Sequence, residues 1–229
     1  MKRREGLQPI TQESTPTLIA AQLREHISEG SLAPGSQLVE MDIAGALGVS
    51  RGPVREAIQR LTQEGLVVSI RNRGVFVAEF GEADIRDIYE ARTAVEKAAA
   101  GVLVSGDHHG AGRELLIKVE DMEAARLHSD SETMSEADVA FHQKLVAMAS
   151  SPRLSRMHGT LLTETRMCLN RLEGRYLDES VRVAEHRHIA EALREGNREL
   201  LMTLLDAHKD DALARLLTEK PAVTSLRTA

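Results

Sequence analysis

One aspartate and one histidine are placed where they could bind a metal ion together. Asp138 and His142 are four residues apart in a stretch with helical periodicity, so both side chains lie on the helix face that also carries Leu145 and Val146. An aspartate within an apolar stripe is costly unless it is paired or binds a cation. The pattern therefore makes Asp138 and His142 candidate metal ligands.

Two further histidines lie on apolar helix faces that flank a predicted turn. His186 is ten residues before Gly196, and His208 is eleven residues after Asn197. Because a helix rises ~1.5 Å per residue, the two imidazoles would lie at nearly the same height in an antiparallel helix pair. The sequence thus predicts one divalent metal ion bound by four side chains, those of Asp138, His142, His186 and His208.

Imidazole and carboxylate ligands suit zinc, with nickel or manganese as alternatives, and such a site leaves room for a small ligand. The competing interpretation is that these are separate core histidines capped by backbone carbonyls, together with a helix-capping aspartate. His188 is two residues from His186 and therefore points away, toward solvent. No ligand role is predicted for the other histidines, which are His26, His108, His109, His128 and His158.

Two arginines near a predicted helix N-terminus have the spacing of a DNA-reading surface. Arg51 and Arg55 lie four residues apart on one helix face, opposite the apolar residues Ile58 and Leu61. Free N–H groups at a helix N-terminus attract phosphate, and arginine binds phosphate or guanine. Ser50 is the predicted N-cap. An exposed helix with solubilising arginines is the alternative interpretation.

A second basic segment follows in a predicted β-hairpin. Two short runs of mainly β-branched residues, 67–70 and 75–77, flank a polar turn that ends in Gly74. This glycine would let the hairpin tip, with Arg73, approach a DNA backbone or minor groove closely. The residues predicted to contact DNA are Ser50, Arg51, Gly52, Arg55, Arg73 and Gly74.

One arginine lies within an apolar helical stripe and needs an anion. Arg92 could pair with Glu96, four residues on, or hold the carboxylate of a small effector in its guanidinium fork. Arg166 is a second candidate for the effector, with a surface ion pair to Glu164 or Glu173 as its alternative. The effector-binding residues are thus predicted to be Arg92 and Arg166.

The elements that must position these residues fall into two domains. Three helices and the hairpin give residues 15–78 a winged helix-turn-helix pattern, whereas six helical stretches and no strand pattern follow from residue 82. We predict a mainly α protein, with a winged helix-turn-helix domain in residues 1–80 and an all-α antiparallel helical bundle in residues 81–229. A break is predicted over residues 106–112, and a frayed tail over 218–229.

Composition and charge restrict the function classes. Aromatic residues make up only 2% of the 229 residues, which argues against single-strand nucleic-acid grooves, and one cysteine excludes an internal disulfide framework. The net charge of −6 belongs entirely to the second domain, because residues 1–80 hold nine Lys/Arg and nine Asp/Glu. A neutral domain with one basic face is compatible with duplex DNA. With neither a signal peptide nor a membrane span, we expect a cytoplasmic protein without a membrane partner.

Residues 30–77 resemble the N-terminal domain of GntR-family transcriptional regulators. The resemblance implies that Arg51 and Arg55 contact the operator and that Gly74 lies at the wing tip. Many relatives carry a basic residue ten positions before Arg51, where this chain has Met41, so base specificity is expected to differ. The matching residues are Gly35, Leu38, 47–51, 53–57, Leu61, 64–67 and 73–77.

Residues 82–217 resemble the all-helical ligand-binding FCD domain of the FadR subfamily. In that family an aspartate and three histidines bind a divalent metal, a role that falls on the four residues already chosen. Ser151-Pro152 stands where relatives often have Asn-Pro, which concerns only a loop contact. The matching residues are 89–92, Glu96, Asp138, 141–142, 185–186, 189–190 and 207–208.

These observations predict a ligand-responsive transcriptional regulator, a repressor as most such proteins are. A homodimer would place two recognition helices in successive major grooves of operator DNA, and a small carboxylate effector would bind beside the metal. The alternative is a metal-dependent hydrolase with an appended DNA-binding module. Because no acid or base is tightly spaced from the predicted ligands, we expect a non-enzyme.

Overall fold

The computed structural model describes residues 14–128, 131–169 and 179–217. The chain divides into two compact units at residues 79 and 80. Within the described ranges, no helix combines the length and the apolarity that a bilayer crossing requires. The predicted frayed tail, 218–229, lies outside the described residues.

The N-terminal unit is a winged helix-turn-helix. The two-residue strand β1 was not predicted, and it pairs antiparallel with β3 in a sheet of order β1-β3-β2. The hairpin of β2 and β3 was predicted at nearly the same residues. The elements are α1 (Thr15–Ser28), β1 (Gln37–Leu38), α2 (Glu40–Leu47), α3 (Arg51–Gln63), β2 (Val67–Ile70) and β3 (Gly74–Val77).

The turn between α2 and α3 depends on one glycine. Gly48 has a φ of 64° and ends α2 in the left-handed conformation, which glycine adopts at little cost. Helix α3 then buries one side of its surface, formed by Val54, Ala57, Ile58 and Leu61. Ser50 stands at the N-cap as predicted, but its side chain makes no capping hydrogen bond. The opposite side of α3, with its arginines, is left for solvent.

The C-terminal unit consists of helices within the described residues. The predicted break at 106–112 was too long, because α5 begins at His108 once the carboxylate of Asp107 accepts a hydrogen bond from Gly110 N at 2.9 Å. The helices are α4 (Glu82–Val104), α5 (His108–Leu127), α6 (Ser131–Met148), α7 (Pro152–Leu169), α8 (Glu179–Arg194) and α9 (Arg198–Leu217).

The apolar core of this unit surrounds its polar residues. One buried cluster includes Phe141 and Leu145 of α6 with Ile189 and Leu193 of α8. A second cluster brings α4, α6, α7 and α9 together, with Tyr89 among its largest buried side chains. The fold therefore holds any polar residue that points inward from these helices in a water-poor interior.

We predict that Gly112→Ala destabilises the C-terminal unit. A Cβ at Gly112 would overlap the backbone of Arg194 where α5 crosses α8, and such overpacking typically costs about 1–3 kcal/mol. Gly159→Ala is the matched control, since a Cβ there meets nothing within 4 Å and alanine favours a helix. Thermal unfolding should show a lower Tm for Gly112→Ala only. An unchanged Tm would mean that the two helices can move apart freely.

Candidate functional site

The predicted DNA-reading arginines lie at the start of α3 and point to solvent. The side chains of Arg51 and Arg55 are 60% and 62% exposed. Both contact Glu40, the first residue of α2, which the sequence analysis had not singled out. Arg55 donates from Nε and Nη2 to the two carboxylate oxygens at 3.0 and 2.9 Å, and Arg51 Nη2 donates to Oε2 at 3.1 Å. The two arginines and the glutamate form one surface cluster.

The wing differs slightly from its prediction. The turn consists of residues 71–73, and Gly74 is the first residue of β3 rather than the tip. Its φ of 113° and the nearby amide of Gln37, which would clash with a Cβ, explain the glycine. Gln37 Nε2 also donates to the carbonyl of Arg73 at 3.0 Å. The requirement for glycine at position 74 is therefore intramolecular, while Arg73 remains exposed beside it.

The four predicted metal ligands converge in the interior of the C-terminal unit. Each offers one ligand atom, these atoms lie within 4.8 Å of one another, and all four side chains are buried. His186 Nε2 is 3.2 Å from His142 Nε2 and 3.3 Å from Asp138 Oδ1. Three helices provide the residues, with Asp138 and His142 on α6, His186 on α8 and His208 on α9.

The Nδ1 atoms of the three histidines already face acceptors. His186 Nδ1 is 2.8 Å from the carbonyl of Arg182, and His208 Nδ1 is 3.1 Å from Glu185 Oε2. His142 Nδ1 lies 3.1 Å from Glu96 Oε1, although it is not aligned for a hydrogen bond. Metal-binding histidines usually have such an acceptor on the second nitrogen, which leaves Nε2 for the metal. The donor set therefore fits a divalent cation.

Burial and nearby charges keep three of the four predicted ligands in the protonation states that metal binding needs. Burial lowers the pKa of His142 to about 3 and also lowers that of His208. Burial alone would raise the pKa of Asp138, but the guanidinium of Arg182 and the hydrogen bond with His186 hold it well below its usual value. The site thus combines the neutral imidazoles of His142 and His208 with the ionised carboxylate of Asp138.

Sequence reasoning did not place three groups beside the four predicted ligands, although it had named one of them, Glu96, as a partner of Arg92. Arg182 Nε donates to Asp138 Oδ1 at 3.0 Å. Glu96 Oε1 accepts from Arg92 Nε at 2.8 Å and lies 3.0 Å from His158 Nε2. His158 is buried in this network through its contact with Glu96, although it is not among the four residues whose ligand atoms converge. The helical spacing of these residues could have indicated that they face the interior. The local sequence does not indicate, however, which distant helices pack against one another.

The two effector-binding candidates differ in their surroundings. Arg92 is buried and pairs with Glu96, the alternative to effector binding that the sequence had left open, and this carboxylate holds the pKa of Arg92 above its usual value against the effect of burial. Arg166 is half-buried. No ion pair joins Arg166 to Glu164 in the described part of the chain, and Glu173 lies outside it. Arg92 is therefore linked to the cluster, because its partner Glu96 also lies 3.1 Å from His142 Nδ1.

His188 is exposed as predicted, although it belongs to the same helix as His186. Of the other histidines, His26, His109 and His128 are exposed, and His108 lies 3.1 Å through Nδ1 from the carbonyl of Arg194. On α8, His186 is thus buried and His188 is exposed, which is the helical phase that was predicted.

We predict that Glu164→Gln raises Tm more at pH 8 than at pH 5. Burial, and then the charge of Asp87, raise the pKa of Glu164 from 4.5 to about 7. A carboxyl whose pKa is raised by folding contributes its full stabilisation of the folded state at pH values below the pKa that it has in the unfolded chain. This stabilisation is lost as the pH rises through about 7. Glutamine cannot ionise, so the variant lacks the free-energy cost of a charged, half-buried carboxylate at high pH. Equal Tm gains at both pH values would contradict this account.

The winged helix-turn-helix carries an exposed arginine cluster, and the helical unit carries a buried cluster of Asp138 and three histidines. Together they indicate a class of protein, a DNA-binding regulator with a separate helical domain. Residues 17–77 match the model of the bacterial regulatory proteins of the gntR family, and residues 87–211 match the FCD domain. The chain therefore belongs to the GntR family of transcriptional regulators, in its FadR-like subfamily with an FCD domain. Its family consists of regulators, so the chain is not an enzyme.

Individual relatives agree with this assignment. The probable D-xylose utilization operon transcriptional repressor of Paenarthrobacter nicotinovorans is 31% identical over 85% of this chain and 87% of its own length. The gluconate operon transcriptional repressor of Bacillus subtilis is 27% identical over 88% and 85%. A GntR regulator structure from Rhodococcus sp. RHA1 matches with a TM-score of 0.76 and 30% identity, over 91% of this chain and all (100%) of that one.

Proposed function

We propose that this regulator is a homodimeric repressor that senses a small carboxylate through a metal-containing pocket in its helical domain. In this proposal residues 1–80 bind operator DNA and residues 81–229 bind the effector. The observation that carries the proposal is the buried cluster of Asp138 and three histidines, whose second nitrogens face acceptors. Because it acts on operator DNA, the protein would work in the cytoplasm.

The proposed DNA contacts come from two elements of the N-terminal unit. Arg51 and Arg55 on α3 are exposed and four residues apart, which suits a helix lying in the major groove. The wing adds Arg73 for the backbone or minor groove. One recognition helix contacts too few base pairs to be selective, so two copies would bind two similar half-sites. The proposed DNA-contacting residues are Ser50, Arg51, Gly52, Arg55, Arg73 and Gly74.

A divalent ion, zinc above all, would be held by Asp138, His142, His186 and His208. When bound, it would supply a Lewis-acidic centre that attracts an anionic oxygen. Around it, Glu96 and Arg182 orient His142 and Asp138 by their short contacts. Arg92 is buried beside Glu96 and offers its guanidinium to an effector carboxylate, with Arg166 as the second candidate.

Control of DNA binding by the effector requires only that the effector bind one state of the dimer better than the other. The equilibrium between DNA-competent and DNA-incompetent dimers then shifts by that difference in affinity. The proposed metal ligands lie on α6, α8 and α9. If the effector changes the spacing between α6 and the pair of α8 and α9, these helices would transmit the shift. The hydrolase alternative finds no support in the family, whose members are regulators.

Thermal unfolding of the zinc-loaded full chain with mono-, di- and tricarboxylates tests the proposal. A carboxylate that binds only the folded protein raises Tm, and the same compound should weaken binding to the promoter of the regulator's own gene. Arg92→Lys keeps the charge but loses the fork, so it should reduce the Tm shift. If no carboxylate changes either Tm or promoter binding, the proposed sensing function is wrong.

A further inference from the structure

The cluster of Glu40, Arg51 and Arg55, here called the arginine–glutamate cluster, places a carboxylate within the proposed DNA-reading surface. Such a charge should repel phosphates, and exposed ion pairs add little to stability. The side chain of Glu40 is only 24% exposed, whereas the two arginines are 60% and 62% exposed. The carboxylate therefore lies beneath the guanidinium groups, and it does not stand between them and solvent.

The hydrogen-bond pattern leaves the reading edge of Arg55 open. Glu40 accepts from Nε and Nη2 of Arg55 at 3.0 and 2.9 Å. A guanidinium has five N–H donors, so both hydrogens of Nη1 and one of Nη2 remain free, and one hydrogen from each of these nitrogens lies on the outer edge. Two donors on one edge are what bidentate recognition of guanine O6 and N7 needs. The two hydrogen bonds to Glu40 thus fix the plane of the guanidinium without using that edge.

The same carboxylate also links the two arginines. Arg51 Nη2 donates to Oε2 of Glu40 at 3.1 Å, the oxygen that also accepts from Arg55. The hydrogen bonds from Arg55 and, to a lesser extent, from Arg51 lower the pKa of Glu40 to about 2, although burial opposes them. Glu40 therefore stays ionised wherever the regulator binds DNA, and the two guanidinium groups keep a fixed relative position.

We propose that Glu40 is a positioning residue that sets DNA specificity: its carboxylate orients Arg55 and Arg51 for base edges and lowers affinity for arbitrary duplexes. This inference rests on the proposed DNA contacts of the two arginines. Base contacts depend on the direction of the guanidinium, whereas phosphate contacts depend mainly on charge. Removal of the carboxylate is thus expected to affect the two kinds of binding in opposite directions.

The test compares full-length wild type with Glu40→Gln and Glu40→Ala by fluorescence anisotropy. The probes are a duplex selected by the wild-type protein from a random-sequence library and a scrambled duplex of the same composition. In both variants the ratio of the two affinities should fall about tenfold or more, because oriented bidentate contacts are lost. Affinity for the scrambled duplex should rise, because one negative charge is removed.

Asp42→Asn is the matched control. Asp42 lies with Glu40 in the first turn of α2, and it forms no ion pair with any residue that the structure describes. Its removal changes the same net charge and the same helix terminus, so affinity for both duplexes should rise together while their ratio stays constant. Circular dichroism melting checks that each variant is folded. Glu40→Asp keeps the negative charge but has a shorter side chain, so it should also reduce the ratio of the affinities for the selected and the scrambled duplex.

The outcomes separate this inference from the proposed function. If Glu40→Gln behaves like Asp42→Asn, with an unchanged ratio, Glu40 only repels DNA and the inference is overturned. A ratio that rises in Glu40→Gln overturns it as well. If the wild type itself does not distinguish the two duplexes, or if Arg55→Ala changes neither affinity, then the proposed DNA contacts fail before Glu40 is considered.

Discussion

Arg55→Ala should weaken operator binding about 10- to 100-fold while the protein remains folded. A base-reading arginine contributes this much to affinity, and the side chain of Arg55 is 62% exposed, so its removal leaves no cavity. The loss of affinity should be larger on the operator than on scrambled DNA. Anisotropy titration at fixed salt measures both affinities, since affinity for DNA depends steeply on salt.

Arg86→Ala provides the control for Arg55→Ala. Arg86 is an exposed arginine of the C-terminal unit that pairs with Glu82 at 2.7 Å, so its removal changes net charge equally without touching α3. Operator affinity should be unchanged in that variant. Equal weakening of Arg55→Ala on all sequences would make Arg55 a phosphate contact, and unchanged affinity would remove it from the DNA-binding surface.

His186→Ala or His208→Ala should abolish most of the metal content of the purified protein, expected to be about one divalent ion per chain. Each substitution removes one of four buried donors whose ligand atoms lie within 4.8 Å of one another. Elemental analysis after dialysis measures the stoichiometry. A chelator should also lower the Tm of the wild type, because an ion bound only by the folded state stabilises it.

His188→Ala is the control for the metal prediction, since it removes the same residue type from the same helix at an exposed position. Its metal content should equal that of the wild type. If His188→Ala empties the site and His186→Ala does not, the assigned helical phase is wrong. If no variant changes the metal content, the four residues are ordinary core residues, and the effector pocket must be sought around Arg92 alone.

Local patterns in the sequence determined both domains and the four ligand candidates. Helical spacing places Asp138 and His142 on one face, and a short turn at Gly196 brings His186 and His208 to the same height. The structure brings their rings together, with 4.6 Å between the ring centroids of His186 and His208. Both relations involve short chain distances, over which regular helix geometry is sufficient. The strand β1 was missed because two residues are too few to show alternation.

Only the tertiary structure decided which distant groups surround those candidates. Glu96 meets His158, 62 residues away, and Asp138 meets Arg182, 44 residues away. Glu40 reaches Arg55 across the turn of the helix-turn-helix. Helical periodicity tells which side of a helix is buried, but it carries no information on which other helix covers that side. The angles and neighbours of the helices are set by packing of whole apolar surfaces. The partners of the proposed DNA-contacting arginines and of the predicted metal ligands therefore emerge only in the folded chain.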